Sequence, residues 1–375
     1  MTTTRIHSTR TPAFVEFQAS PGHRRPVAAP SNVDVAVIGH SGQVGSALLA
    51  RLDRTTEAPE LPGLQLREGI NRSRHLLVGD GSVNQQDRNP GTLSGLGARL
   101  LAGGRPAVIV DCTADATLPR HYPEWLRAGI GVVTPNKHGF SGDPELYRSI
   151  MQAARKGRAP LNYSATVGAG LPVIDTLKRL RRAGVKPAAI TAAVSGTLSH
   201  VFTRLSAGQP LSEAVADARH RGFTEPDPLE DLSGRDVARK LVIMLREAGL
   251  SQVRVELEPV VPDAWAAALP GQVDTIEALR EKDAGWREKI VEAQRDERVW
   301  TYLARFDGRT ARVGPVEVSR DSAFAGLAGS GNRISIESAE GEAIDIHGPG
   351  AGVDVTATAV LADLVDAAFL LTRKG

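Results

Sequence analysis

Two rhythms of apolar and polar positions divide the chain. From Val33 to about residue 160, short apolar runs alternate with amphipathic stretches. "VDVAVIGHSGQVGSALLARL" (33–52) is a buried strand, a glycine turn and a helix with one apolar face. "LQLREGINRSR" (64–74) is a second strand running into a basic turn, and "PAVIVDCTAD" (106–115) is a third, buried strand. "LPRHYPEWLRAG" (118–129) has helical spacing, and "GVVTPNK" (131–137) is a strand with a polar tip. Strands alternating with helices at this spacing predict a parallel sheet with helices on both faces.

After residue 160 the alternation breaks. Helical spacing appears at 171–184, 212–220 and 234–249, and strand-like runs at 188–196, 300–306, 311–319 and 333–337. "GPGAGVDVTATAVLADLVDAAFLL" (348–371) closes the chain with a glycine loop and one long apolar helix. The fold class is therefore α/β: a Rossmann-type domain over 33–160 plus 345–375, with a second, α+β domain over 161–344. The first 32 residues are rich in Thr, Ser, Pro and Arg, hold a single acid, Glu16, and lack an apolar core of signal-peptide length. They read as a disordered extension, with a transit peptide as the compositional alternative.

Composition narrows the function classes. The 375 residues are 41% hydrophobic and 23% charged, which is ordinary for a soluble globular protein, and the formal net charge of +2 is small for this length. Only 4% of residues are aromatic and no basic run alternates with them, which argues against nucleic-acid binding. No stretch reaches eighteen uninterrupted apolar residues, so no membrane span is expected. The single cysteine, Cys112, rules out an internal disulfide framework and fits a reducing cytoplasm.

Gly39, Gly42 and Gly45 form G-x-x-G-x-x-G between a strand and a helix, with Gln43 and Val44 at the helix start. Such a loop lets a pyrophosphate approach backbone amides at the positive end of the helix dipole. NAD sites place an acid at the tip of the second strand. Here the tip is Asn71-Arg72-Ser73-Arg74, and Glu68 lies inside the strand. Arg72 and Arg74 suit a 2′-phosphate and favour NADP, with NAD possible; the alternative is a solvated turn.

"RGFTEPDPLEDLSGRDVARK" (221–240) concentrates Glu225, Asp227, Glu230, Asp231 and Asp236 around two prolines, then starts a helix. Ser233 and Asp236 have capping-box spacing, and Asp236 and Lys240 stand i, i+4 on one face of that helix. Alone such a pair is usually a surface salt bridge. The apolar neighbours in "VARKLVIML" bury this one, so the lysine needs a partner or a function.

"VVTPNK", "YSATVGAGLPVIDTL", "AVSGTLSHVF", "GFTEPDPLEDLSGRDVARKL" and "GPGAGVDVTATAVLADL" stand in the order found in homoserine dehydrogenases. Over residues 33–375 the chain resembles that family, especially the dehydrogenase half of bifunctional aspartokinase–homoserine dehydrogenases. The resemblance implies reduction of L-aspartate 4-semialdehyde to L-homoserine with NAD(P)H, toward threonine and methionine. It implies that Glu225, Asp231 and Asp236 face the substrate with Gly196 and Thr197, and that Lys240 exchanges the proton. It places Lys137 and Thr113 at the nicotinamide rim and Gly222, Gly350 and Gly352 where backbone approaches the cofactor. It implies a monovalent cation, Na⁺, on the carbonyls of Val167, Ala169 and Leu171, with Ser164 where relatives often have an acid. The second domain would bind substrate and form a homodimer.

Three departures stand out. The glycine fingerprint is one residue longer than the family's G-x-G-x-x-G, His200 replaces a common aromatic, and neither an aspartokinase nor a C-terminal regulatory domain is expected. Two other readings remain: an aspartate-semialdehyde dehydrogenase, which needs a nucleophilic cysteine, and a non-catalytic NADP sensor, which predicts losses among Glu225, Asp236 and Lys240. All three are present.

Overall fold

The structure, a computed structural model, describes residues 32–55, 61–79, 82–89, 91–269, 273–327 and 331–373. The expected N-terminal extension, save Asn32, lies outside the described residues. The first sheet has seven strands: β1 (Val33–Ile38), β2 (Leu64–Ile70), β3 (Arg74–Gly79), β4 (Ser82–Asp87), β5 (Ala107–Asp111), β6 (Gly131–Val133) and β7 (Leu161–Asn162), in the order β4-β3-β2-β1-β5-β6-β7. Strands β2, β1, β5, β6 and β7 are parallel. The expected parallel sheet carries an antiparallel addition at one edge, where β2–β3 and β3–β4 pair antiparallel. The run 64–74 is thus a strand, a turn and the first residue of a hairpin. Its second strand, β4, is exposed throughout and polar save for Val83, so its sequence has no alternation to reveal it.

Register sets up the site. Ile38 stands opposite both Ile70 and Asp111, so the chain leaves the sheet at Gly39, Asn71 and Cys112 in one row. Ligands of open α/β sheets collect at that carboxyl edge. Helix Val353–Thr372 covers the same sheet, burying Val360, Leu364, Ala367 and Ala368 with Val35, Val37, Val108 and Val110. Among the described residues it is the one helix long and apolar enough to cross a membrane, and its buried stripe is spent on this sheet.

The second sheet contains β8 (Ala189–Ala193), β9 (Val255–Leu257), β10 (Arg298–Phe306), β11 (Ala311–Ser319), β12 (Gly331–Glu337) and β13 (Ala343–Pro349), in the order β13-β12-β8-β10-β11-β9. Since β13 pairs with β12, the chain returns to the first domain at Gly350 rather than at residue 345. Helices Gly196–Ser206, Leu211–His220, Arg235–Glu247 and Thr275–Arg295 supply Leu198, Phe202, Leu211, Leu241 and Trp286 to its core.

One buried acid makes a stability prediction. Asp363, 6% exposed on the covering helix, accepts a hydrogen bond from the Ser164 amide at 2.9 Å. Burial pushes its carboxyl up from the ordinary carboxylate range to about 6. A raised acid favours the protonated fold, so this contribution is present at low pH and lost as pH rises through about 6. Asp363→Asn should therefore raise the melting temperature at pH 8, raise it about half as much at pH 5, and change it little at about pH 3.5, below the unfolded carboxyl's own titration. The shift corresponds to at most about 3 kcal/mol. An equal gain at pH 8 and at about pH 3.5 would refute this origin.

Candidate active site

The glycine loop is shaped by close contacts. Gly39 has φ +81°, and a Cβ there would meet Thr113 at 3.0 Å; a Cβ on Gly45 would fall 2.2 Å from the Gly39 carbonyl oxygen. The Gly42 amide donates to the Gly39 carbonyl at 3.0 Å, closing a turn over His40 and Ser41. That turn absorbs the extra residue of the fingerprint, and buried His40 packs against Gly69. Asn71 Nδ2 donates to Ser41 Oγ at 2.9 Å and ties the second strand's tip to the loop.

Arg72 is exposed in that tip, and Arg74 pairs with Asp87 at 2.6 Å. The pair is exposed and worth little, so it opens at small cost. A third cation stands there: Arg88 donates to the Asn71 carbonyl at 3.1 Å. It arrives on the hairpin, which sequence periodicity did not reveal. Glu68 is buried and bound to His75 and Arg99, so it does not serve as the ribose acid.

A cleft of about 810 Å³ separates the domains. It brings together Val44, Thr113, Lys137, Ala169, Gly196, Thr197, Glu225, Asp231, Asp236, Lys240, Gly350 and Gly352. Gly39, Gly42, Gln43 and Gly45 belong to the adjoining loop and helix start. Gly222, at φ +71°, ends helix Leu211–His220 beside the cleft residue Phe223. Val167 is buried and Leu171 half-buried behind the lining, the Leu171 carbonyl accepting from the Val173 amide at 2.8 Å.

Asp236 joins two lysines at the floor. Its Oδ2 lies 2.8 Å from Lys240 Nζ and its Oδ1 3.2 Å from Lys137 Nζ. Lys240, 9% exposed, also donates to the Val194 carbonyl at 2.6 Å. Burial in the cleft opposes ionisation of Asp236. Lys240, then Lys137, outweigh it and hold the carboxyl well below the usual range. An ammonium has three N–H donors, so two fixed acceptors leave Lys240 one for a reacting oxygen.

The capping-box expectation holds in part. Gly234, at φ +67°, is the N-cap of helix Arg235–Glu247. Ser233 Oγ accepts from the Arg235 amide at 3.3 Å and donates to the Glu230 carbonyl at 2.6 Å, while Asp236 turns to the lysines rather than completing the box. A Cβ at 234 would collide with the Tyr302 hydroxyl, so chain and sheet meet there without room for a side chain at that position.

The acidic loop has a division of labour. Asp227 caps the short helix Pro228–Leu232 through the Leu229 amide at 3.0 Å. Asp231 Oδ2 accepts from the Glu225 amide at 2.8 Å, and burial raises its carboxyl despite that bond. Glu225 is exposed, with no ion pair among the described residues. Across the cleft, Gly196 and Thr197 open a helix N-capped by Ser195, where free amides suit a carboxylate. The Thr197 hydroxyl donates to the Phe223 carbonyl. His200, in place of an aromatic, meets the Phe223 ring edge-on at 5.1 Å and lies 2.7 Å from Asp217.

A buried network holds the rim. Asp111 accepts from Tyr122 Oη, from Asn136 Nδ2 at 3.0 Å and from the Thr113 amide at 2.8 Å. It ties Thr113 and the Lys137 loop to one carboxylate, whose protonation burial nevertheless favours. Cys112 follows it, and burial, aided by Asp111, pushes the thiol up to about 12. A thiol so protonated is no nucleophile. Cys112→Ser should keep near-full turnover; loss of all turnover in a folded variant would restore thiol chemistry.

A glycine loop of phosphate-binding form on a mostly parallel sheet, beside a cleft floored by one acid and two lysines, defines a protein of the Rossmann dinucleotide-binding class. Residues 172–365 match the homoserine dehydrogenase family model, and residues 41–164 that of the homoserine dehydrogenase NAD-binding domain. The chain is 35% identical over 371 residues to bifunctional aspartokinase/homoserine dehydrogenase 2, chloroplastic, of Zea mays, covering 93% of this chain and 40% of that protein. It is 42% identical over 280 residues to a homoserine dehydrogenase of Emericella nidulans, covering 70% of this chain and 76% of that one. In fold it is similar to a hyperthermophilic archaeal homoserine dehydrogenase mutant in complex with NADPH. The TM-score is 0.70 at 21% identity, covering 90% of this chain and 98% of that one. The chain belongs to the homoserine dehydrogenase family. It spans about two fifths of the length of the plant bifunctional relative.

Proposed function

We propose that the chain interconverts L-aspartate 4-semialdehyde and L-homoserine with NADPH and NADP⁺. The observation that carries this reading is the Lys240 ammonium, held by Asp236 and the Val194 carbonyl in a cleft that also presents Glu225. The dinucleotide, when bound, supplies or accepts the hydride. Glu225 holds the substrate's α-ammonium, and the amides of Gly196 and Thr197 take its carboxylate. Lys240 donates its remaining proton to the carbonyl oxygen as that oxygen gains charge, and recovers it in the oxidative direction. Asp236 keeps Lys240 aimed, with Lys137 balancing its charge on the cofactor side. NADPH consumption with L-aspartate 4-semialdehyde tests the proposal. NADPH binding without turnover in either direction would favour the non-catalytic sensor.

Preference for NADP is supported by Arg72, Arg74 and Arg88 at a tip lacking a free acid for the ribose. Arg72→Ala with Arg74→Ala should raise the KM for NADP much more than that for NAD. Equal effects on both would remove the argument. A Na⁺ ion on Val167, Ala169 and Leu171 is supported by the loop itself, where Gly168 and the non-glycine Ala169 take φ +76° and +49° in succession. Such a pair turns successive carbonyls toward a common side. A homodimer fits the outer edge of β13, which ends its sheet with Ile344 41% exposed.

A further inference from the structure

A larger concavity, of about 1170 Å³, lies apart from the catalytic cleft. It sits between helices Pro144–Gly157 and Val173–Arg182 and the last turn of helix Arg235–Glu247. Met151, Ala154, Ala159 and Leu161 make part of its wall apolar. Its charged side chains are Arg148, Arg155, Arg158, Lys178, Arg181 and Arg182, with Arg246 beneath. Only Glu145 and Glu247 oppose them, in a chain whose formal net charge is +2.

Among the described residues, local carboxylates do not neutralise Arg148, Arg155, Lys178, Arg181 and Arg182. Glu247 is buried and engaged by the Tyr163 hydroxyl, with Arg181 at 4.0 Å. Arg148 meets Glu145 at 3.8 Å, and Lys178 meets Asp175 at 3.8 Å, both with exposed acids. Arg155 Nε donates to a carbonyl of its own helix, Met151, at 3.2 Å. Arg158 holds a left-handed backbone at φ +50° where helices usually end in glycine. An arginine kept there at a conformational cost is the kind of outlier that accompanies a ligand clamp.

We infer that this cavity is a regulatory site for a nucleotide-sized polyanion, its phosphates on the arginine rim and its apolar body on the Met151–Leu161 wall. Ligand pockets run to roughly 300–1,000 Å³, so the space far exceeds a single phosphate. Arginine forks match phosphate oxygens bidentately. Two elements connect the cavity to catalysis. Arg246 and Glu247 end the helix that carries Lys240, six residues and roughly 9 Å away at 1.5 Å per residue. Helix Val173–Arg182 follows the 165–171 loop, whose Ala165, Thr166, Gly168 and Ala169 line the catalytic cleft. A ligand that draws these helices together acts on both walls of the active site.

The test uses the full chain saturated with NADPH, so that the glycine loop is occupied, titrated calorimetrically with ATP and with tripolyphosphate. Arg155→Glu with Arg182→Glu, at two exposed positions, should weaken ATP binding at least 10-fold and remove any effect of ATP on turnover. Arg287→Glu with Arg295→Glu, exposed on helix Thr275–Arg295, changes net charge equally and should bind ATP as the parent does. Absence of ATP binding, or equal loss in both variants, would overturn the proposal. Tripolyphosphate binding as tight as ATP would overturn the role given to the apolar wall. If Arg155→Glu with Arg182→Glu dissociates an oligomer and leaves ATP affinity unchanged, the cavity is a subunit contact and the proposal falls. Binding is read directly, so these outcomes do not depend on the catalytic assignment.

Discussion

Lys240→Ala is expected to lower kcat by roughly 10²- to 10⁴-fold, the usual contribution of a positioned general acid, with KM changed far less. The reasoning is geometric. Lys240 is fixed by Asp236 at 2.8 Å and by the Val194 carbonyl at 2.6 Å, whereas Lys137, among the described residues, has Asp236 alone at 3.2 Å. A donor with two anchors holds its third proton in one direction, which lowers the reorganisation needed at the transition state. Lys137→Ala should act more through cofactor affinity. Asp236 stays ionised across the working pH range, because the two lysines hold its carboxyl well below the usual carboxylate values. Any acid limb in the rate profile therefore belongs to another group. Retained NADPH binding and an unchanged circular dichroism spectrum would show that the variant is folded. If Lys240→Ala kept near-full kcat while Lys137→Ala abolished it, the proton would come from Lys137.

Local chemistry made the principal site groups legible in the sequence. Glycines at 39 and 45 were readable because only glycine fits where a Cβ would lie 3.0 or 2.2 Å from other atoms. The Asp236–Lys240 pair was readable because helical spacing alone puts i and i+4 together. What stayed hidden depends on long-range pairing. Lys240's second acceptor, Val194, lies 46 residues away on another strand end, and a backbone carbonyl leaves no mark in sequence. Arg88 was missed because β4 is exposed on all six residues, which gives no alternation to read. The capping pattern at Ser233 was half legible: its Oγ takes the Arg235 amide, but the Tyr302 hydroxyl, from a distant strand, decides that only glycine fits at 234.

Glu225→Gln should raise the KM for both amino-acid substrates by roughly 10- to 100-fold, the scale of a charge-assisted hydrogen bond worth about 1.5–3 kcal/mol. Its kcat should stay within a few-fold, because the α-ammonium carries its charge in ground and transition states alike. The structure separates Glu225 from its neighbour. Asp231 already spends Oδ2 on the Glu225 amide at 2.8 Å, and burial favours its protonated form. It acts as a strut under the Pro226–Pro228 turn, while Glu225 stands exposed at the cleft with an uncommitted carboxylate. Asp231→Asn keeps an oxygen for that amide, so its effect on KM should be the smaller. Pairing each variant with a substrate analogue lacking the amino group sharpens the comparison. The analogue should bind parent and Glu225→Gln equally, because the ammonium is the only group whose partner has changed. If Asp231→Asn raised KM more than Glu225→Gln, and the analogue abolished that difference, the ammonium would sit on Asp231 and the strut would be Glu225.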